Sequence, residues 1–388
     1  MSRAERKDLI EQIEAKRNSK VIAYVTGDRH PFPAQIGDDA VRPLYSHIRE
    51  LGKVKRLDFF IYSRGGAIDV PWRIVSALRS ASEEWNILIP FRANSAATLI
   101  ALGADSIVLG SQGELGPIDP IMQAQRMVPS RDGPGTVVRD EISVEDVMAY
   151  VKFVQERGGI SDQQARASAL DKLTGRVDPV ALGNLYRTHS HIRDVARRIL
   201  LSRKTPLAED TLNLVVSTLA ERVYAHGHAI GFASAREIRL PVEEPDAALD
   251  SLMWRLLETY ERDMKLLEPL DTLAAVSTQD RFSELGVIAI VESTAGSDEF
   301  TGTLEVRAKR QMPANLQVAV NLNLQFPPGF DIQQLPAEAQ QVLQQLMQAL
   351  QQAALQQAQQ AVQQAMQSQA PLIGADSGFR GGKWIRSN

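Results

Sequence analysis

Three short segments in the first third of the chain combine glycine, serine and small residues in ways that suit acyl chemistry. The first is Ile61-Tyr62-Ser63-Arg64-Gly65-Gly66-Ala67-Ile68, a glycine pair between an apolar run and a helical pattern. Glycines at such a turn leave backbone N–H groups free and let a ligand come close. The turn lacks the Gly-Lys-Ser/Thr of a phosphate loop and the spacing of a dinucleotide-binding turn. The second is Arg92-Ala93-Asn94-Ser95-Ala96-Ala97-Thr98, where Ser95 stands at the start of a small-residue helix. A helix start offers unpaired N–H groups and partial positive charge, which suits a developing oxyanion. The same position suits a plain N-cap, and the residues alone leave both roles open. The third, Gly113-Glu114-Leu115-Gly116-Pro117-Ile118-Asp119-Pro120, reads by itself as a rigid loop.

Other chemistry is narrowed by composition. The chain has no cysteine, which excludes thiolate nucleophiles, disulfides and cysteine-ligated metal sites. His189 and His191 lie two apart, so on a helix they do not share a face and form no metal pair. His226 and His228 flank Gly227 in a turn. Neither a metal nor any other cofactor is expected. Lys plus Arg is 43 and Asp plus Glu is 47, so no global basic field exists to hold nucleic acid. The first twenty residues alternate charge with Leu9, Ile10 and Ile13 and have no apolar core of a secretory signal. The apolar stretch 87–109 is broken by Arg92, Asn94 and Asp105, so no membrane span is expected and the expected location is the cytoplasm.

The elements that must position the three segments are legible. Short apolar runs at 21–25, 57–62, 87–91 and 106–109 suit buried strands, and helical spacing fills 40–51, 70–82 and 95–103. Alternation of this kind predicts repeated β-α units, an α/β fold with a mostly parallel sheet. Residues 144–157, 161–173, 179–201, 207–223 and 245–268 read as a helical extension. The runs 285–291 and 303–309, with the strict alternation of 316–325, predict a small antiparallel accessory sheet. Between Gln333 and Ala370 there are 17 glutamines and one charge, Glu338. Leu343, Met347, Leu350, Ala354, Ala358, Ala361 and Ala365 repeat with an 11-residue period, which predicts a Gln-rich C-terminal helix. Residues 374–388 read as disordered. The expected division is an N-terminal helix at 1–20, a catalytic-type domain at 21–244, a helix and small sheet at 245–330, and the Gln-rich helix with its tail at 331–388.

Taken in order, SRGGAID, ANSAATLIALGADSIVLG and GELGPIDP resemble the Clp/crotonase-fold serine peptidases, which include signal-peptide peptidases and the Clp protease. The pattern is most similar to the serine dehydrogenase proteinase family, with further likeness at Asp178-Pro-Val-Ala-Leu-Gly-Asn and at Tyr224-Ala-His226-Gly227. The resemblance spans roughly residues 18–240 and implies a Clp/crotonase-like fold and an ATP-independent serine endopeptidase, with peptide or unfolded protein as substrate. It implies Ser95 as nucleophile, and backbone N–H groups of Gly65, Gly66 and Ala96 as the oxyanion hole. Ile68, Gly113, Leu115 and Gly116 would flank the peptide.

Serine needs a base. There is no histidine between His47 and His189, so the usual Ser-His-Asp order of Clp proteases is absent. Signal-peptide peptidases use a lysine instead. Lys152, the first lysine after Ser95, has apolar neighbours that favour a neutral amine and is the expected base, with Lys172, Asp119, His189 and His191 as alternatives. Two other functions fit the same residues: an inactive assembly module, and a crotonase-type acyl-CoA enzyme. The apolar stripe Met253, Leu256, Leu257, Tyr260 and Met264, together with the Gln-rich helix, predicts a homo-oligomer assembled through 245–370.

Overall fold

The computed structural model describes residues 3–118, 121–128, 136–143, 147, 149–151, 153–157, 163–175, 177–222, 229–311 and 335–387. In chain order the first elements are α1 (Arg3–Arg17), β1 (Lys20–Thr26), α2 (Val41–Leu51), β2 (Val54–Tyr62), α3 (Val70–Ala81), β3 (Ser82–Ile89), β4 (Arg92–Ala93), α4 (Ala96–Leu102), β5 (Ile107–Leu109) and β6 (Glu114–Leu115). There follow β7 (Ile121–Val128), β8 (Thr136–Ser143), α5 (Gln163–Thr174), α6 (Pro179–Leu201), α7 (Glu209–Ser217), α8 (Phe232–Glu237), β9 (Val242–Glu243) and α9 (Ala247–Asp263). The remainder holds α10 (Thr272–Ala275), β10 (Arg281–Ser293), β11 (Gly296–Arg310), α11 (Ala337–Gln369) and β12 (Leu372–Ser387).

The chain divides into two units. The larger comprises Met1–Pro269, Leu285–Gly302 and Gly381–Asn388, and the smaller Leu270–Glu284 and Thr303–Arg380. In the larger unit β1, β2, β3, β5 and β9 run parallel in that spatial order, as the β-α alternation predicts. Successive residues of these strands point to opposite faces, and both faces are covered. Ile22, Tyr24, Phe59, Ile61, Ile87 and Ile89 pack with side chains of α2, α3, α4, α6 and α7 on one side. Val21, Ala23, Val25, Phe60, Tyr62 and Leu88 pack with Leu9, Ile10 and Ile13 of α1 and with α9 on the other. That double burial is why the strands appear in the sequence as continuous apolar runs.

Three expectations are corrected. The run at 285–291 belongs to β10, which pairs antiparallel with β1, Tyr24 opposite Val291, and so joins the sheet of the larger unit, whereas the run at 303–309 falls in the smaller unit. The 374–388 tail is not disordered. It falls in strand β12, whose residues 381–387 lie at the edge of that sheet, and its Trp384 ring meets Phe300 at 5.2 Å. The stripe of α9 is not a face left for a partner: Met253, Leu256, Leu257, Tyr260 and Met264 are all buried within this chain's own core. The smaller unit contains α11, a 33-residue helix over the Gln-rich stretch whose Val342, Leu346 and Leu350 are exposed. The alternating 316–325 segment lies outside the described residues. Among the described residues no helix is long and apolar enough to cross a membrane.

Candidate active site

The three segments converge at the carboxyl ends of β2 and β3, the edge where open α/β sheets hold ligands. β2 ends at Tyr62, and the chain turns through Ser63–Gly66 into α3. β3 ends at Ile89, and the chain forms β4 before entering α4 at Ala96. A second small layer binds these turns together. Ser63 N–H donates to the Arg92 carbonyl at 3.0 Å, and Asn94 N–H donates to the Ser63 carbonyl at 3.0 Å. β4 pairs in parallel with β6, Arg92 opposite Glu114, which brings the third segment alongside. Arg92 Nε donates to Glu114 Oε1 at 3.0 Å. Thr98 Oγ1 lies 2.7 Å from the Ala93 carbonyl and 2.8 Å from that of Gly116, stapling the helix start to both strands.

Ser95 occupies the N-cap position of α4, yet its side chain makes no capping hydrogen bond. Its backbone sits at φ 52°, ψ −113°. A non-glycine residue there is strained by about 1–3 kcal/mol, and such strain collects at functional sites. The plain N-cap role left open by the sequence is therefore not the one observed. Ser95 is half-buried, and its hydroxyl has no hydrogen-bond partner among the described residues.

Gly65 lies directly against the serine. A Cβ on Gly65 would sit 2.7 Å from Ser95 Cβ, 2.8 Å from the Asn94 carbonyl oxygen and 3.2 Å from Ala96 N, and its φ is +109°. Only glycine fits that approach. Of the three expected oxyanion donors, Gly65 is already engaged: its N–H donates to Ser63 Oγ at 3.0 Å. The N–H groups of Gly66 and Ala96 have no protein acceptor among the described residues. Gly66 is fixed from behind, with a Cβ position 2.3 Å from the Ile36 carbonyl oxygen. Arg64 Nε reaches Asp28 Oδ2 at 2.6 Å and anchors the exposed corner of the turn. Burial, with Asp28 alongside, pushes the Tyr62 phenol above its ordinary range and keeps it protonated.

The expected substrate-flanking residues divide. Ile68 is half-buried on the rim just after the glycines. Leu115 is fully buried, and its N–H and carbonyl both bond Ile230, at 3.0 and 2.8 Å. Gly116 N–H donates to the Ala93 carbonyl at 3.1 Å, and Gly113 N–H to the Gly110 carbonyl at 2.7 Å. Both edges of this strand are thus occupied, and the third segment packs against Asn94. A Cβ on Gly116 would lie 2.9 Å from the Asn94 side chain.

Among the candidate bases, Lys152 and Asp119 lie outside the described residues, as do Tyr224, His226 and His228. Lys172 is in the last turn of α5. His191 on α6 pairs with Asp69 at 2.9 Å, beside the N-terminus of α3. His189 lies two residues earlier on α6, on a different face. One Ser–His–Asp string does exist: His47 Nδ1 is 2.8 Å from Ser293 Oγ and Nε2 is 3.0 Å from Asp298 Oδ2. His47 and Ser293 are wholly buried, so no substrate reaches them. Sequence reasoning missed Ser63, Thr26 and Ile36 as parts of this site. Thr26 and Ile36 carry no local signal, since they come from parts of the chain distant in sequence, whereas the Ser63 hydroxyl reaches the Gly65 amide two residues on, a local turn.

Residues 1–131 match the model of the family described as ClpP-like SDH-type serine proteinase. All three segments fall inside that match, which supports the resemblance read from them. The candidate bases at 152, 172, 189 and 191 lie beyond it. The chain is also similar to two uncharacterized proteins of Methanocaldococcus jannaschii. One is 23% identical over 263 residues, 66% of this chain and 79% of that protein. The other is 26% identical over 182 residues, 42% of this chain and 62% of that protein, so less than two thirds of its length is spanned.

Proposed function

We propose that this chain is an ATP-independent serine endopeptidase acting through Ser95. The observation that carries the reading is the strained, uncapped Ser95 at the head of α4, with Gly65 pressed against it and the N–H groups of Gly66 and Ala96 left without an acceptor among the described residues. Ser95 Oγ attacks the scissile carbonyl carbon and gives up its proton to a base. Negative charge gathers on the carbonyl oxygen, where the N–H groups of Gly66 and Ala96 and the positive end of α4 receive it. The amine leaves with a proton, and water hydrolyses the acyl-serine. Lys152, whose sequence neighbours are apolar, is the proposed base, its amine in neutral form taking the proton. Ile68 on the rim is the proposed contact for an extended peptide. The family likeness also favours a homo-oligomer. The buried stripe of α9 leaves the Gln-rich α11 as the proposed contact within 245–370.

The test is covalent labelling by a fluorophosphonate, with the modified residue mapped by mass spectrometry. Labelling at Ser95, absent in Ser95→Ala and slowed by ~10²-fold or more in both Lys152→Ala and Lys152→Arg, supports the reading. A wild-type chain that is never labelled in any assembly state refutes it. Full labelling of Lys152→Arg removes Lys152 as the base and moves the same test to Lys172, His189 and His191.

A further inference from the structure

Glycine has no side chain to hold its backbone, so something else must fix the two peptide planes on either side of Gly65. The plane after it is fixed by the Ile36 N–H, which donates to the Gly65 carbonyl at 2.8 Å. A trans peptide points its N–H opposite to its C=O. The Gly66 N–H is therefore turned away from Ile36. The opposite side of this segment is occupied by β4 and Ser95, since Ser63 bridges Ala93 while Gly66 bridges Ile36. The plane before Gly65 is fixed by a side chain: Gly65 N–H donates to Ser63 Oγ at 3.0 Å. Ser63 Oγ is itself held by Thr26 Oγ1 at 2.7 Å, from the end of β1. Ser63 is 0% exposed and Thr26 1%, so water cannot stand in for either hydroxyl.

We propose that Ser63 is the positioning residue of the oxyanion hole: its hydroxyl, tied to Thr26, locks the Arg64–Gly65 peptide so that the next N–H, that of Gly66, stays aimed at the acyl oxygen on Ser95. Ser63 serves both halves of the site at once. Its side chain holds the donor loop, and its backbone pairs with Arg92 and Asn94, which carry the nucleophile. Without the hydroxyl, the Gly65 N–H becomes a buried donor with no acceptor. Gly65, at φ +109°, relieves that by rotating, which draws its carbonyl off the Ile36 N–H and carries the Gly66 N–H, in the same peptide plane, out of aim. The Ser63 hydroxyl touches no reacting atom. It acts through Gly65 and Gly66.

This inference rests on the serine-peptidase reading, and the experiment separates the two. The full chain and its Ser63→Ala, Ser63→Thr and Thr26→Val variants are labelled with fluorophosphonate over a range of probe concentrations, to separate the limiting rate from probe affinity. In parallel, amide hydrogen exchange is followed at residues 63–68. For Ser63→Ala the limiting rate is expected to fall by ~10²-fold, the loss typical of one oxyanion donor, with probe affinity unchanged and protection of the Gly65 amide lost. Ser63→Thr, which keeps the hydroxyl, restores most of the rate. Thr26→Val removes the tie but leaves Gly65 its acceptor, so its rate and protection fall less than those of Ser63→Ala. If wild type labels at Ser95 and Ser63→Ala labels equally fast or keeps Gly65 protected, the positioning role is overturned and the peptidase reading stands. If Thr26→Val loses as much rate as Ser63→Ala, the effect is general loosening and the role is likewise overturned. A wild type that never labels overturns the peptidase reading and this inference with it.

Discussion

Strain at Ser95 makes a prediction that does not depend on activity. Ser95 is held at φ 52°, ψ −113°, a region costing a non-glycine residue about 1–3 kcal/mol. Ser95→Ala and Ser95→Gly both delete the hydroxyl, so they share any loss that follows from it. They differ in the backbone. Alanine keeps the strain, and glycine relieves it while adding unfolded-chain entropy worth about 0.4–1 kcal/mol against folding. The difference leaves Ser95→Gly more stable than Ser95→Ala by roughly 0.5–2 kcal/mol, a factor of about 2 to 30 in the folding equilibrium. The two variants are compared by urea unfolding followed by tryptophan fluorescence, for which Trp85 in the core is a buried reporter. Equal slopes with a higher midpoint for Ser95→Gly support the argument, because equal slopes mean equal surface exposed on unfolding. If Ser95→Gly is no more stable than Ser95→Ala, the conformation is not strained, and the reasoning from strain to nucleophile loses its foundation.

Two further predictions concern the larger unit that carries the site. Arg6 is 2% exposed and donates to Glu292 Oε2 at 2.6 Å, with Asp263 as a second partner, so Arg6→Met should destabilise by about 3–5 kcal/mol by leaving Glu292 buried without its main counter-charge. A loss below about 1 kcal/mol in urea unfolding would show that Arg3, 3.6 Å from Glu292, suffices. His47 is held below its usual pKa by burial and by nearby Arg386, against the opposing pull of Asp298 and Glu50. The unfolded chain therefore binds the proton first: stability is full above about pH 6.5 and declines as pH falls through that value towards the folded pKa. His47→Gln should flatten the change in urea midpoint between about pH 7.5 and 5.5, and an unaltered slope in the variant would refute the assignment.

The sequence by itself determined the parallel β-α core, because its strands are buried on both faces and so appear as short apolar runs between helical periods. It also marked 63–66 and 92–98 as strand-to-helix turns, because glycine and small residues between an apolar run and a helical period are local features. Everything set by partners distant in the chain was left to the tertiary structure. The period-2 pattern of 285–291 marks a strand but not its neighbour, and β10 joins β1 because that edge was open to it. The apolar stripe of α9 marks a buried face but not what buries it, and the answer is α1 and the sheet of the same chain. The 374–388 tail, with its many glycines and charges, lacks any strand signal of its own, and takes extended form only along the edge that β11 provides. The same holds within the site. Sequence names the glycines, but which N–H remains free depends on Ser63, Thr26 and Ile36, contributed from three separate points in the chain. A backbone group's availability is decided by the partners that folding brings within about 3 Å, and apart from Ser63, two residues before Gly65, these lie far away in the chain.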